Sequence, residues 1–216
     1  MKKGLIFILL LCAIAFAVFA QNGIVREMSG EVELKPAGAS SFTPARIGST
    51  VAQNTIVSTG FKSTAIIEIG SSVITVLPLT RLSLSEIQAS SGTENISMNL
   101  QSGRIRVDVN PPAGTRTNFE VQTPSSTASV RGTSFEMDTQ NLNVLSGLVT
   151  YTNNNGLGTI VPGGLFSSIA SDGQIIDPFV QASQALEPTP PLGAEVTGGA
   201  TLPPASTGDI TIEIQY

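Results

Sequence analysis

An all-β domain is what this sequence predicts, as a two-layer β-sandwich or an irregular β-roll or β-helix-like stack of short strands. Three observations predict it. Apolar and polar residues alternate with period two through most of the stretch from Gln21 to about Ile176, and side chains on a strand point alternately to opposite faces. Gly, Ser, Asn and Pro break these runs at short intervals, as turns between strands require. No apolar period of 3.6 residues is sustained over the same stretch.

The strands follow in order. Glu31-Val32-Glu33-Leu34 alternates, and so do the sets Ala65, Ile67, Ile69 and Leu82, Leu84. The pattern continues at Ile96, Met98, Leu100, at Ile105, Val107, Val109, at Phe119, Val121, at Phe135, Met137 and at Leu142, Val144. Ser72 to Leu77 lacks clean alternation, which predicts a more central strand. A form Ser-Gly-x-aliphatic-x-apolar recurs at Ser29-Gly30, Ser102-Gly103 and Ser146-Gly147. Each is read as a glycine turn feeding a new strand, at spacings too unequal for a strict solenoid. Asn153 to Gly156 and Asp172-Gly173 read as turns; the second lacks the alternating acids of a calcium loop.

Asp177-Pro178 predicts a helix start, because the carboxylate accepts from first-turn amides and a first-position Pro forfeits no hydrogen bond. The helix is expected to reach about Leu186. Residues 182–208 hold Pro188, Pro190, Pro191, Pro203, Pro204, Gly193, Gly198, Gly199 and Gly208, a composition that predicts a flexible linker. Beyond it Asp209 to Tyr216 alternates again, with Ile210, Ile212, Ile214 and Tyr216 on one face. Such a strand can pair with an open edge of its own sheet or of a partner's.

The N-terminus reads as an address. Lys2 and Lys3 precede an uncharged apolar run from Leu5 to Ala20, the pattern of a signal peptide cleaved after Ala20. Uncleaved, it would be the chain's one attachment to a membrane. The expected organisation is a signal peptide at 1–20, a β domain at 21–181, a linker at 182–208 and a strand at 209–216. The expected location is the periplasm, or outside the cell, within a bacterial envelope.

Composition excludes much chemistry. His is absent and Cys12 is the one cysteine, inside the signal segment. No Ser-His-Asp or Cys-His nucleophilic site, no zinc site of His or Cys and no disulfide can be built in the mature chain. Net charge is −5 with no basic run, which argues against nucleic acid as a partner. The charge is uneven: after Arg131 come Glu136, Asp138, Asp172, Asp177, Glu187, Glu195, Asp209 and Glu213 and no base. No cofactor and no metal site are expected, and no enzymatic activity.

One stretch has a more specific character. Phe119-Glu120-Val121-Gln122-Thr123-Pro124 ends a strand where Pro124 withdraws a backbone donor. Ala128-Ser129-Val130-Arg131-Gly132-Thr133-Ser134-Phe135 then starts the next strand, with Gly132 supplying positive φ or close approach and Phe135 returning to the core. The set Thr123, Pro124, Arg131, Gly132, Thr133 and Phe135 resembles the signature of the FecR domain. Thr59 to Ala65 and Gly103 to Val107 also resemble that domain, and the likeness covers roughly 56–145.

The best-known members of that family are inner-membrane regulators, in which a cytoplasmic part engages a sigma factor and the periplasmic β domain senses an outer-membrane receptor. Only four residues precede the apolar run here, so the resemblance implies a stand-alone exported domain without the sigma-binding part. Its expected function is non-enzymatic binding or scaffolding of an envelope protein, by strand addition among other routes. Two alternatives stand beside it. Some family members cleave themselves at a Gly-Thr bond, which would make Gly132 and Thr133 a self-processing site, with the Thr133 hydroxyl attacking the Gly132 carbonyl. An envelope structural or carbohydrate-binding protein is the other, although stacking aromatics are scarce. Arg131 is expected to pack over the sheet and to donate to carbonyls, Glu120 or Glu136.

Overall fold

The computed structural model describes residues 21–90 and 92–186. Eighteen strands and one helix lie among them. In chain order the first strands are β1 (Gly23–Ser29), β2 (Val32–Lys35), β3 (Thr43–Pro44), β4 (Thr50–Val51), β5 (Ile56–Thr59) and β6 (Thr64–Ile69). The middle of the domain supplies β7 (Ser72–Val76), β8 (Arg81–Ser90), β9 (Thr93–Ser102), β10 (Arg104–Val109), β11 (Arg116–Gln122) and β12 (Ser126–Val130). There follow β13 (Ser134–Asp138), β14 (Asn141–Ser146), β15 (Leu148–Asn153), β16 (Gly158–Pro162), β17 (Phe166–Ile169), β18 (Ile175–Ile176) and α1 (Pro178–Leu186).

These strands make two nine-stranded sheets. Sheet I runs β4-β1-β6-β7-β10-β13-β14-β17-β18, and sheet II runs β3-β2-β5-β8-β9-β11-β12-β15-β16. Period-two alternation explains the layering, since each strand buries one face and wets the other: β6 buries Ala65, Ile67 and Ile69, and β13 buries Phe135 and Met137. Inward residues of both sheets form one aliphatic core. Phe119 of β11 meets Phe135 of β13 edge-on across the layers, with ring centroids 6.5 Å apart and planes at 72°. β7 lies well inside sheet I, as its apolar sequence suggests, yet it alternates too, with Val73 and Thr75 half-buried.

The chain crosses between the sheets repeatedly, and the recurrent Ser-Gly elements are crossings. Gly30 links β1 to β2, Gly103 links β9 to β10 and Gly147 links β14 to β15, with φ of 73°, 86° and 85°. Each lies against a second crossing that runs the other way, built as a residue of positive φ followed by a buried hydroxyl: Lys62-Ser63, Leu79-Thr80 and Gly132-Thr133. In every case the hydroxyl bonds the backbone of the residue after the glycine. Ser63 Oγ accepts from Glu31 N at 2.8 Å, Thr80 Oγ1 accepts from Arg104 N at 3.0 Å, and Thr133 Oγ1 donates to the Leu148 carbonyl at 3.1 Å. A Cβ on Gly103 would lie 2.4 Å from Thr80 Cα, so the two chains touch only because that residue has no side chain.

Among the described residues every strand pairing is antiparallel except β9 with β11. That parallel pair needs a connection between opposite ends of the sandwich, supplied by β10 and the loop Asn110–Thr115. It also reverses the pattern. The first two crossing pairs share one end with the Thr123–Ser125 turn, and the Gly132–Thr133 crossing lies at the other, where a Cβ on Gly132 would meet Pro111 at 3.4 Å.

The helix begins as the sequence predicts: Asp177 Oδ1 accepts from Phe179 N at 2.8 Å and Val180 N at 3.3 Å. Residues 182–186, counted above within the Pro/Gly segment, continue the helix. At the two predicted turns, Asn153 Oδ1 accepts from Asn155 N and Leu157 N, and Asp172 Oδ1 accepts from Gln174 N, each at 3.0 Å. The signal segment 1–20, the rest of the linker and the strand carrying Ile210, Ile212, Ile214 and Tyr216 lie outside the described residues. Among the described residues no helix is long and apolar enough to cross a membrane, and no group of His, Cys, Asp and Glu side chains could hold a metal ion.

Candidate functional site

The motif residues do not form a single cluster. β12 separates them, with Thr123 and Pro124 at one end and Arg131, Gly132 and Thr133 at the other. Thr123 caps its turn: its hydroxyl oxygen accepts from Ser125 N at 3.2 Å and Ser126 N at 3.0 Å. Together with Ser125 it reaches the Thr139 carbonyl of the neighbouring turn. The Pro124 carbonyl accepts from Asn154 Nδ2 at 2.5 Å. Phe135 is in the core. Gly132 takes φ of 76° in a trans chain, and Thr133 is buried with its hydroxyl on Leu148.

Arg131 alone of the set points outward with nothing to hold it. The expected contacts to Glu120 and Glu136 do not form. Glu136 is on β13 in the other sheet, where it faces Arg106 at 3.6 Å, and Glu120 accepts from Gln122 Nε2 at 2.7 Å. Register gives the reason. Phe119 pairs with Val130, which sets Arg131 beside Asn118 and not beside Glu120.

Arg131 borders a groove of about 920 Å³ on the outer face of sheet II, spanning β8, β9, β11, β12 and β15. Its floor is a set of cross-strand rows. Glu86, Ser97, Glu120, Ser129 and Thr150 lie side by side through the register, and Asn118 Nδ2 donates a hydrogen bond to Asn95 Oδ1 at 2.8 Å. Leu148, beside Arg131, is the large apolar side chain exposed in it. Among the described residues Arg131 and the half-buried Glu86 are each without a hydrogen bond or ion pair, separated by three strand spacings and a two-residue offset in register. Arg116, two residues before Asn118 on the same face, also lacks an acidic partner.

The outer face of sheet I is different. Arg26 meets Glu68 at 2.7 Å, Arg104 meets Asp138 at 3.4 Å, and Arg106 lies between Asp108 at 3.5 Å and Glu136 at 3.6 Å. The hydrogen bond from Arg26 holds the Glu68 carboxyl below its ordinary range. Burial pushes the Asp138 carboxyl up, but amides of Gln140 and Asn141 and the charge of Arg104 outweigh it and hold it low.

Sequence reasoning found Arg131 and missed its neighbours. Alternation tells which residues of a strand point outward. It does not say which of two wet faces is grooved, because that depends on long-range register.

The comparisons with known proteins follow this geometry. A family model described as FecR protein matches residues 55–150. Two crystal structures of a candidate anti-sigma factor from Parabacteroides distasonis are similar to the chain, each with a TM-score of 0.46. One is 16% identical over 56% of this chain and 57% of that one, and the other is 15% identical over 60% and 64%. The chain thus spans less than two thirds of either. No curated protein matches it. The match takes in five of the six crossing elements and all the motif residues, so the segment from residue 55 to residue 150 is similar to the FecR family, as its motif suggests.

Proposed function

We propose that this protein is an exported, non-enzymatic binding domain that senses or scaffolds an envelope partner through the outer face of sheet II. One observation carries the reading. On sheet I, Arg26, Arg104 and Arg106 each face a carboxylate, whereas Arg131 stands unpaired at the rim of a groove whose floor mixes amides and hydroxyls with the carboxylates of Glu86 and Glu120. An unpaired guanidinium beside convergent hydrogen-bonding groups suits an anionic group on a partner, because its planar fork matches a carboxylate or phosphate. Arg116 on the neighbouring strand adds to the local positive charge. The absence of imidazole, and of any thiol beyond Cys12 in the apolar N-terminal run, supports recognition over chemistry. Export rests on the apolar run after Lys2 and Lys3.

Photo-crosslinking in cells tests the reading. A benzophenone side chain at Ser97, Ser129 or Thr150 is expected to give a discrete adduct in the envelope fraction. The same group at Thr75 or Asn143, outward on sheet I, is expected to give none. Arg131→Glu should remove the adduct. Equal adducts from both faces, or none from sheet II, would overturn the assignment.

A further inference from the structure

Glu94, near the start of β9, is a half-buried carboxylate surrounded by neutral donors. It accepts from Gln21 Nε2 at 2.6 Å, Ser71 Oγ at 2.8 Å, Thr117 Oγ1 at 3.3 Å and Ser71 N at 3.4 Å. Among the described residues no Lys or Arg pairs with it, whereas Glu68, Asp138, Asp108 and Glu136 on the outer face of sheet I each meet an arginine. Space has been left for it: a Cβ on Gly70, where φ is +53°, would fall 1.5 Å from Glu94 Oε1. Gln21 Oε1, in turn, is buried without a donor. A cavity of about 380 Å³ lined by Gln21, Ser71, Glu94, Thr115 and Thr117 opens beside the pair. A carboxylate lacking its cation and an amide oxygen lacking its donor thus meet where Glu94 touches Gln21, and Gln21 follows the expected cleavage point.

We propose that Glu94, with Ser71 and Thr117, is the receptor for the N-terminus exposed when the chain is cut after Ala20. Cleavage converts the Gln21 amide nitrogen to an α-ammonium, which supplies both missing partners: a positive charge for Glu94 and a donor for Gln21 Oε1. The α-nitrogen belongs to the residue Glu94 already grips, so the ion pair forms without a search. The grip has a chemical consequence. A free N-terminal glutamine cyclises when its α-nitrogen attacks Cδ; the N–Cδ bond forms, the Cδ–Nε2 bond breaks and ammonia leaves with the proton. With Nε2 held by Glu94 and the α-ammonium protonated in its field, Gln21 stays open. The inference rests on the cleavage site and is independent of the groove on sheet II.

Six forms of the full mature chain test it: the exported protein and the same protein with a short Ala-Gly-Ser extension before Gln21, each unaltered, with Glu94→Gln and with Gly70→Ala. Intact mass of the exported form should show a chain beginning at open Gln21. Glu94→Gln should lower Tm of the exported form by about 2–4 °C more than it lowers that of the extended form, which loses only the bonds to Ser71, Thr117 and the Gln21 side chain, and it should speed the loss of one ammonia on incubation. Gly70→Ala, which displaces the carboxylate without removing its charge, should cyclise faster as well. A start at another residue, an equal Tm loss with and without the extension, or cyclisation of the unaltered protein as fast as the Glu94→Gln form would each overturn the proposal.

Discussion

The Leu79-Thr80 crossing and the Gly132-Thr133 crossing are the same device at opposite ends of the sandwich. Both place a residue of positive φ before a buried threonine, and both threonines bond the backbone just past a Ser-Gly turn. One lies in the family's recognisable motif and the other does not. The comparison teaches what Thr133 does in this domain: it ties two antiparallel crossings together where the chain changes sheets, the task Thr80 performs with no Arg-Gly-Thr sequence around it. Leu79 takes φ of 57° where Gly132 takes 76°, so the device tolerates a side chain at a strain cost.

Substitutions can break or sharpen that equivalence. The largest effect is expected at Gly103→Ala, where the new Cβ meets Thr80 backbone at φ of 86°; unfolding in urea should show a loss of about 3 kcal/mol. Thr80→Val and Thr133→Val should each cost about 1–2 kcal/mol, by removing a buried hydroxyl from a backbone partner. A loss at one and none at the other would break the comparison. Purified protein with Thr133 intact should keep its full mature mass on prolonged incubation, since that hydroxyl is already committed to the Leu148 carbonyl. A fragment ending at Gly132 would restore the self-processing alternative.

Asp138→Asn, outside the crossings, should cost about 1 kcal/mol at neutral pH by weakening the turn to Asn141. The Asp138 carboxyl is held below its ordinary value in the folded chain, so its contribution is present above the unfolded pKa and disappears as pH falls through the folded one. The penalty of the substitution should vanish in acid accordingly. Leu79→Gly should raise stability by about 0.5 kcal/mol, strain relief exceeding the added freedom of the unfolded chain, because Leu79 is 60% exposed. The smallest effect is expected at Arg131→Glu, which touches no partner in the fold and should leave the unfolding midpoint unmoved while abolishing the crosslink.

The strands were legible because each buries a single face, so that Phe119 and Val121, or Phe135 and Met137, announce themselves two apart. The Asp177-Pro178 helix start was legible for a local reason as well. The crossings were half-legible: Gly30, Gly103 and Gly147 stood out as an echo, but their partners Ser63, Thr80 and Thr133 share no wording, since a positive φ can be met by Lys, Leu or Gly. Arg131 was expected to be paired, and only the Phe119–Val130 register shows why it is not. The receptor around Glu94 could not be read from sequence, because Gln21, Gly70-Ser71 and Thr117 meet there from three separate places in the chain.

Strand order in both sheets rises almost steadily with sequence, broken by the swap of β1 with β4 and of β2 with β3 at one edge. A molecule arranged this way grows sideways, hairpin by hairpin, as a repeat array does. Tension applied to its last strands would peel β18, β17 and β16 before loading anything central. The run of easy steps would stop at β11, whose parallel partner cannot be released by unfolding a hairpin and must shear along its whole length. The seam that turns the chain end for end is therefore also where the domain would resist being pulled apart.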